Sequence, residues 1–361
     1  MAAQPGFSAQ PGLSRASALD VQYYQGRDIR RLDAERVFAR SWQLVGHVSQ
    51  LQQAGDHLVD DVAGRPILVL RHPDGGLRAF YNVCKHRAGP LAWCHGKGAK
   101  ALHCKYHGWT YTLDGDLRSA PEMEGAEDFE RSGIRLDSIR VDVWQGLVLV
   151  ALDAEVPPLG EVYGGIIERI APLDLSNYVF QRRVSYDIDC HWKVYVDNFL
   201  EGYHLPHVHP GLSKVLDYRA YDTELFPWYS LQHSPLRNND GIYGDGDAWY
   251  YFVYPNVMLN IMPGRLQTNR VLPLGNERCR VEFDFFYADD PAALARADKD
   301  LEFSDLIQQE DIRICEAVQK GLSSGVYQAG RLCPRREGGV WHFHQLLRQA
   351  FDGATDKALA Q

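Results

Sequence analysis

The sequence predicts an α+β protein in two parts: a small all-β domain over residues 42–153 and a larger domain, built from 1–41 and 154–361, that mixes helices with strands. Three observations carry this reading. Between 42 and 153 the apolar runs are short and β-like (Gln43-Leu44-Val45, Ile67-Leu68-Val69-Leu70, Leu147-Val148-Leu149-Val150) and are separated by Asp, Gly and Pro punctuation. Beyond Ala154 the pattern changes to longer strand-like and helical segments, with Pro157-Pro158 as the hinge. Each part also carries its own cluster of histidines with metal-ligand spacing.

Residues 1–40 open with a Pro/Gly/Ser-rich lead and continue into a helix over 28–42, where Ile29, Leu32, Val37 and Phe38 recur at helical spacing. In the β part, His72-Pro73-Asp74-Gly75-Gly76 reads as a hairpin turn. In the larger part, 182–188 alternates like a strand, a helix begins near Trp192, and 249–262 is one long aromatic and β-branched run. A second alternating strand covers 280–287 and a helix covers 303–322. No internal repeat or low-complexity tract interrupts this order.

At 361 residues the chain can bury a substantial core. Its net charge of −9 argues against nucleic acid or an anionic membrane as a partner, since both demand a basic surface. Seven cysteines make no disulfide framework in a chain of this length, and Cys190, Cys279, Cys315 and Cys333 read as dispersed thiols of a reducing compartment. The start, Met1-Ala2-Ala3-Gln4-Pro5, lacks a charged lead into an apolar core, and no hydrophobic stretch follows Arg30-Arg31. No apolar run approaches the roughly 18 residues of a membrane span, so a cytoplasmic protein is expected.

The first constellation is Cys84-Lys85-His86 and Cys104-Lys105-Tyr106-His107, which spell C-x-H-x17-C-x2-H. Each segment offers one thiolate and one imidazole. Two such segments facing each other put both cysteines on one iron and both histidines on the other, the ligand set of a histidine-ligated [2Fe–2S] cluster. Structural zinc takes the same donors, but its usual fingers pair Cys with Cys and His with His. With Gly108-Trp109 following, the stretch resembles the Rieske domain of ring-hydroxylating and related oxygenases, which identifies Cys84, His86, Cys104 and His107 as the cluster ligands. Lys85 and Lys105 depart from the arginine and proline usual at those positions, and Cys94 and His95 between the loops read as ordinary loop residues.

The second constellation runs from His191 to Pro210. Glu201 and His204 share a face if this segment is helical, and Pro206 is expected to end that helix so that His209 swings back towards His204. Two imidazoles and a carboxylate form the triad that activates dioxygen at non-haem Fe(II). His207 competes for a ligand role. On the helix over 303–322, Ile307, Ile314, Val318 and Leu322 make an apolar stripe that includes Asp311; Asp305 and Glu316 point away, and Glu310 lies at the other edge.

Trp192-Lys193, Asp197-Asn198, Glu201, Tyr203-His204 and His209-Pro210 together resemble the catalytic motif of Rieske oxygenase α subunits. That resemblance implies a helix-grip-like catalytic domain with an antiparallel sheet. It makes His204, His209 and Asp311 the ligands of a mononuclear Fe(II), Asn198 a pocket residue, and Glu201 the acid that links the iron to a Rieske centre in the next subunit. Glutamate rather than aspartate at 201 is similar to the choline, carnitine and betaine monooxygenase branch.

The family further implies a terminal oxygenase that uses O2 and electrons from an NAD(P)H-dependent reductase, directly or through a ferredoxin, and assembles as a homotrimer. The branch implies hydroxylation or oxidative N-demethylation of a small quaternary amine; hydroxylation of an aromatic ring or aromatic acid is the alternative. Of the aromatic run from Trp249 to Tyr254, strand alternation allows at most half to face a pocket. A Rieske-type electron carrier without catalysis is the reading from another class, but it would need little beyond 42–153 and leaves the second constellation without a use.

Overall fold

The structure, a computed structural model, describes residues 12–26, 28–237 and 246–351. It divides the chain into two units, Phe38–Leu159 and Met1–Val37 with Gly160–Gln361. In the smaller unit the run Ile67–Leu70 is buried throughout instead of alternating, because each face of its strand has a core of its own. Leu68 and Leu70 pack with Phe80, Trp109, Tyr111 and the thiols of Cys84 and Cys104. Ile67 and Val69 pack on the opposite side with Val45, Leu51, Val148 and Val150.

This strand, β3 (Arg65–Arg71), belongs to an antiparallel sheet of six. The order is β1 (Gln43–His47), β9 (Leu147–Ala151), β8 (Ser138–Trp144), β4 (Leu77–Tyr81), β3 and β2 (His57–Val62). The expected turn at His72–Gly76 joins β3 to β4, closed by the Gly76 carbonyl accepting from the His72 N–H, with Gly75 at φ 86°. A smaller sheet of β5 (Leu102–His103), β6 (Thr110–Tyr111) and β7 (Leu117–Ser119) carries the second cysteine loop.

The larger unit is built on a seven-stranded antiparallel sheet. Its order is β10 (Val179–Ile188), β16 (Cys279–Tyr287), β15 (Arg265–Pro273), β14 (Val257–Met262), β13 (Asp247–Val253), β12 (Tyr229–Pro235) and β11 (Asp222–Leu225). A row of directly paired residues, Gln232, Tyr250, Asn260 and Gln267, crosses four of these strands. Four helices matter to the site: α1 (Trp192–Phe199), α2 (Leu205–Val208), α3 (Pro291–Leu322) and α4 (Gly338–Phe351).

Several elements differ from the sequence reading. The helix expected over 28–42 is a composite: α-helical at Ile29–Leu32, π-helical at Asp33–Val37 and 3-10 at Phe38–Arg40. The run 249–262 is a hairpin of β13 and β14, broken where Pro255 removes a backbone donor from the ladder. The helix expected from 303 begins at Pro291, a residue suited to a first turn, where Asp290 accepts from the Ala293 N–H at 3.0 Å. Cys190, Cys279 and Cys315, dispersed in sequence, gather in the core with Cys190 and Cys279 sulfurs 3.8 Å apart.

One buried ion pair fixes where α1 lies. Lys193 is fully buried, and its ammonium donates to Asp33 Oδ1 at 2.6 Å and to the Tyr23 carbonyl at 2.9 Å. Asp33 Oδ2 accepts from the Trp192 indole N–H at 2.7 Å, so both residues of the Trp-Lys pair end on one carboxylate. Burial raises the Asp33 carboxyl and lowers the Lys193 ammonium, and mutual attraction with hydrogen bonding opposes both shifts. Further along α1, Asp197 accepts from the Tyr24 hydroxyl at 2.6 Å and bonds His344 Nε2 of α4 at 2.8 Å.

Removing one partner of the pair leaves the other charge buried and unpaired. Asp33→Asn is therefore expected to destabilise the protein by about 3 kcal/mol in urea unfolding. The double variant Asp33→Leu with Lys193→Met should recover most of that loss. A single variant as stable as the wild type would show that the pair does not hold α1.

Candidate active site

Two short loops of the same construction carry the first constellation. In each, the cysteine N–H donates to the carbonyl five residues on, and the N–H four residues on donates back to the cysteine carbonyl. The pairs are Cys84 with Gly89 and Ala88, and Cys104 with Trp109 and Gly108, at 2.9 and 3.0 Å in both loops. The fourth residue after the cysteine is left-handed each time, Ala88 at φ 59° and Gly108 at φ 77°.

The loops present thiols inward and imidazoles outward. Cys84 and Cys104 are buried, while His86 and His107 are exposed with ring centroids 4.6 Å apart. Trp109 stacks on His86 at 4.8 Å, and Tyr106 packs on His107 at 3.8 Å. The Tyr111 hydroxyl lies 3.2 Å from Cys84 Sγ and accepts from the Lys85 N–H at 3.0 Å. Burial raises the Cys104 thiol, opposed by the backbone N–H groups of Tyr106 and His107 that point at the sulfur.

Gly89 closes this arrangement, since a Cβ there would stand 2.9 Å from Cys104 Sγ. Paired thiols and paired imidazoles on facing loops, with N–H groups directed at sulfur, fit a histidine-ligated [2Fe–2S] cluster. Lys85, placed where arginine is usual, pairs with Asp137. Cys94 is exposed, and His95 Nδ1 accepts from the Val59 N–H at 3.1 Å, so neither joins the ligand group.

The second constellation forms where α1 ends. Helix α1 stops at Phe199, and Glu201 to His204 is a turn rather than a continued helix. Gly202 is required there because a Cβ would meet the Tyr221 ring at 2.8 Å. Glu201 closes the turn by accepting from the Tyr203 and His204 N–H groups. Contrary to the expectation that Pro206 ends a helix, it lies in the first turn of α2, where its missing N–H has no partner to lose. Helix α2 then brings His209 back beside His204, ring centroids 5.0 Å apart.

Asp311, from α3, completes the group, and the donor atoms of His204, His209 and Asp311 all lie within 4.8 Å of one another. Asp311 Oδ1 is 3.0 Å from His209 Nε2, 3.8 Å from His204 Nε2, and accepts from Asn198 Nδ2 at 2.6 Å. The far nitrogens are both occupied: Glu201 Oε1 holds His204 Nδ1 at 2.7 Å, and Glu310 Oε2 holds His209 Nδ1 at 2.7 Å.

Each imidazole is thus oriented by a glutamate and turned with Nε2 towards the one shared carboxylate. This donor set fits Fe(II) of the two-histidine, one-carboxylate type. Burial lowers the His209 pKa, but the Asp311 and Glu310 carboxylates outweigh it and the net shift is upward. His207 is exposed and outside the group. Asp305 accepts from the Tyr186 hydroxyl and Glu316 from the Asp189 N–H, both away from it.

Sequence reasoning weighed Glu310 only as a rival ligand and missed its place behind His209. The signal was its position beside Asp311: on a helix, adjacent acids lie on neighbouring faces and reach opposite sides of one ring.

A cavity opens from this group. Tyr195, Phe199, Tyr221, Tyr250 and Phe283 supply ring walls, and Ser304, Ile307, Gln308 and Asp311 form one face of α3. Burial raises the phenols of Tyr195, Tyr221 and Tyr250 far above their ordinary value, so these walls are neutral. Of the aromatic run 249–254, Tyr250 alone lines the cavity, while Tyr251 and Phe252 are core. A second opening reaches Asn198, Glu201 and His204 from another side, bordered by the exposed apolar residues Ile314, Val318 and Val326. The predicted stripe on α3 is therefore covered at Leu322 but open at Ile314 and Val318.

Residues 175–353 match the family described as the ring hydroxylating alpha subunit (catalytic domain), and residues 41–132 match the Rieske [2Fe-2S] domain. The chloroplastic choline monooxygenase of Arabidopsis thaliana is 37% identical over 364 residues, spanning 94% of this chain and 84% of that protein. The carnitine monooxygenase oxygenase subunit of Escherichia coli (strain K12) is 28% identical and spans 96% of each. The solved structure of a quaternary ammonium Rieske monooxygenase with L-carnitine has a TM-score of 0.83 at 26% identity, covering 94% of this chain and 97% of that one. Naphthalene 1,2-dioxygenase from Rhodococcus sp., at 17% identity and a TM-score of 0.75, shares the fold.

The cysteine loops give two opposite expectations for neighbouring residues. Gly89→Ala should expel the second loop's sulfur from its place and sharply lower cluster content, read as visible absorbance and acid-labile sulfide per chain. Ala88→Gly should retain the cluster and stabilise the protein by about 1 kcal/mol, since glycine adopts the left-handed conformation without a Cβ clash. Equal cluster content in both variants would contradict this packing.

Proposed function

The chain belongs to the Rieske non-haem iron oxygenases, and we propose that it hydroxylates or oxidatively N-demethylates a small quaternary amine of the choline, carnitine or betaine kind. It is the terminal oxygenase of a Rieske system, with a [2Fe–2S] cluster and a mononuclear iron as cofactors. The observation that carries the substrate reading is the cavity beside His204, His209 and Asp311, walled by neutral aromatic rings whose faces attract an onium group. Relatives that act on choline and carnitine across almost the whole chain support it.

In this reading Cys84 and Cys104 hold one iron of the cluster and His86 and His107 the other, within a domain of residues 42–153. His204, His209 and Asp311 hold the mononuclear iron in the domain formed by 1–41 and 154–361. When bound, these groups supply single-electron transfer and the activation of dioxygen. The protein's own residues set the conditions. Glu201 and Glu310 accept the Nδ1 protons of the two histidines, so each Nε2 keeps its lone pair for metal. Asn198 donates to Asp311 Oδ1 and fixes the carboxylate's rotation.

Electrons come from an NAD(P)H-dependent reductase, with or without a ferredoxin, and the assembly is a homotrimer in the cytoplasm. The second opening supports such an assembly, since Glu201 stands within it beside exposed apolar side chains. There Glu201 bridges His204 to a cluster histidine of the neighbouring subunit. No helix among the described residues is long and apolar enough to cross a membrane.

Incubation with a surrogate reductase and a panel of choline, betaines and aromatic acids is expected to give oxidised quaternary amine. Product from the aromatic acids alone would overturn the substrate reading. His204→Ala, His209→Ala and Asp311→Ala should each lose the mononuclear iron and keep the cluster spectrum, whereas His207→Ala loses neither. Glu310→Gln should weaken iron binding by about 10-fold or more without abolishing it. Glu201→Gln should keep both metals and accept electrons from the reductase, yet form almost no product; single-turnover reoxidation of its cluster at the wild-type rate would refute the bridge.

A further inference from the structure

The floor of the cavity is a chain of amides whose direction is set from one end. On β15 the alternate residues Arg265, Gln267 and Asn269 share a face, and Asn260 on β14 lies directly opposite Gln267. The Arg265 guanidinium is bound to Asp300 and donates to Gln267 Oε1. Arginine has donors and no acceptor, so Gln267 must turn its oxygen to Arg265 and its amide N–H outward. That N–H donates to Asn269 Oδ1 at 2.7 Å, and the same oxygen accepts from Asn260 Nδ2 at 3.4 Å. Asn260 is left with its oxygen away from the chain.

Asn260 lines the cavity, and its Oδ1 is buried with no hydrogen-bond partner in the protein. Flipping the amide would set oxygen against the Asn269 oxygen, so the acceptor cannot exchange itself for a donor. Gln308, also on the cavity wall, has its Nε2 without a partner while its Oε1 accepts from the Tyr195 hydroxyl at 2.8 Å. The wall therefore offers one fixed acceptor and one donor. A hydroxyl can donate to that acceptor; a carboxylate sets lone pairs against Asn260 Oδ1.

Charge points the same way. Arg265 is the sole ammonium or guanidinium among the described residues lining the cavity, and Asp300 and Gln267 already engage it.

Resting on the quaternary-amine reading, we infer that Asn260 Oδ1 accepts the hydroxyl of the substrate, a quaternary amino alcohol without a carboxylate. Asn260 sets specificity, and Arg265, Gln267 and Asn269 are positioning residues that hold its oxygen towards the ligand. Glycine betaine and γ-butyrobetaine lack the hydroxyl and carry the disfavoured carboxylate.

The test is calorimetric titration of the metal-loaded, oxidised enzyme with choline, with propyltrimethylammonium, which replaces the hydroxyl by a methyl, and with γ-butyrobetaine. Choline should bind about tenfold or more tightly than either, the size of a buried hydrogen bond lost. Asn260→Leu should bring choline and propyltrimethylammonium within about twofold by weakening choline alone. Equal wild-type affinities for choline and propyltrimethylammonium would overturn the inference whether or not the variant folds, as would an Asn260→Leu enzyme that still discriminates. Tighter binding of γ-butyrobetaine than of choline would overturn it and leave the quaternary-amine reading standing. Binding of aromatic acids with no response to any quaternary amine would remove both.

Discussion

The buried pair between Lys193 and Asp33 is the constraint on which the second metal site depends. Helix α1 is short, and eight residues alone would not remain helical in water. What holds it is a charge that cannot leave, because an unpaired ammonium at that depth costs more than the helix gains by moving. With Trp192 on the same carboxylate and Asp197 tied to Tyr24 and His344, α1 is fixed at both ends. Asn198, Glu201 and His204 follow within the next turns, so the orientation of the first imidazole descends from a salt bridge that touches no metal ligand. The Trp-Lys of the motif thus has a structural reason beside its family resemblance.

Around the triad, charge and orientation are shared out among the acids. Glu201 and Glu310 hold Nδ1 of one histidine each, and Asn198 holds Asp311. Asp311 therefore faces both rings with a single oxygen, and its neighbour Glu310 reaches the far side of His209. Two adjacent acids on one helix act on opposite edges of the same imidazole, which is why substituting either for the other cannot preserve the site.

Much of this was legible in the sequence, and what was not has identifiable causes. The thiol and imidazole spacings specify loops whose geometry is local, so the facing of Cys84 and His86 with Cys104 and His107 followed from motif spacing and family resemblance. The convergence of His204 and His209 was legible, but its route was misread: Pro206 opens α2 instead of closing a helix, because proline suits a first turn as well as it breaks a later one. The start of α3 was missed at Asp290-Pro291 because the apolar periodicity there is weak. The single long aromatic run proved to be a hairpin, with Pro255 at its break. The polarity of the amide row from Arg265 to Asn260 could not be read at all, since it depends on register between β14 and β15, and register is a property of pairing and not of either strand.

Strand β3 has one more consequence. Its Leu68 and Leu70 face the side that contains Cys84 and Cys104, whereas Ile67 and Val69 face a core with no metal ligand in it. The strand is a partition, and the hydrophobic driving force on its ligand-free side is complete without iron or sulfide. The strand itself therefore separates the packing around Cys84 and Cys104 from the packing around Ile67 and Val69.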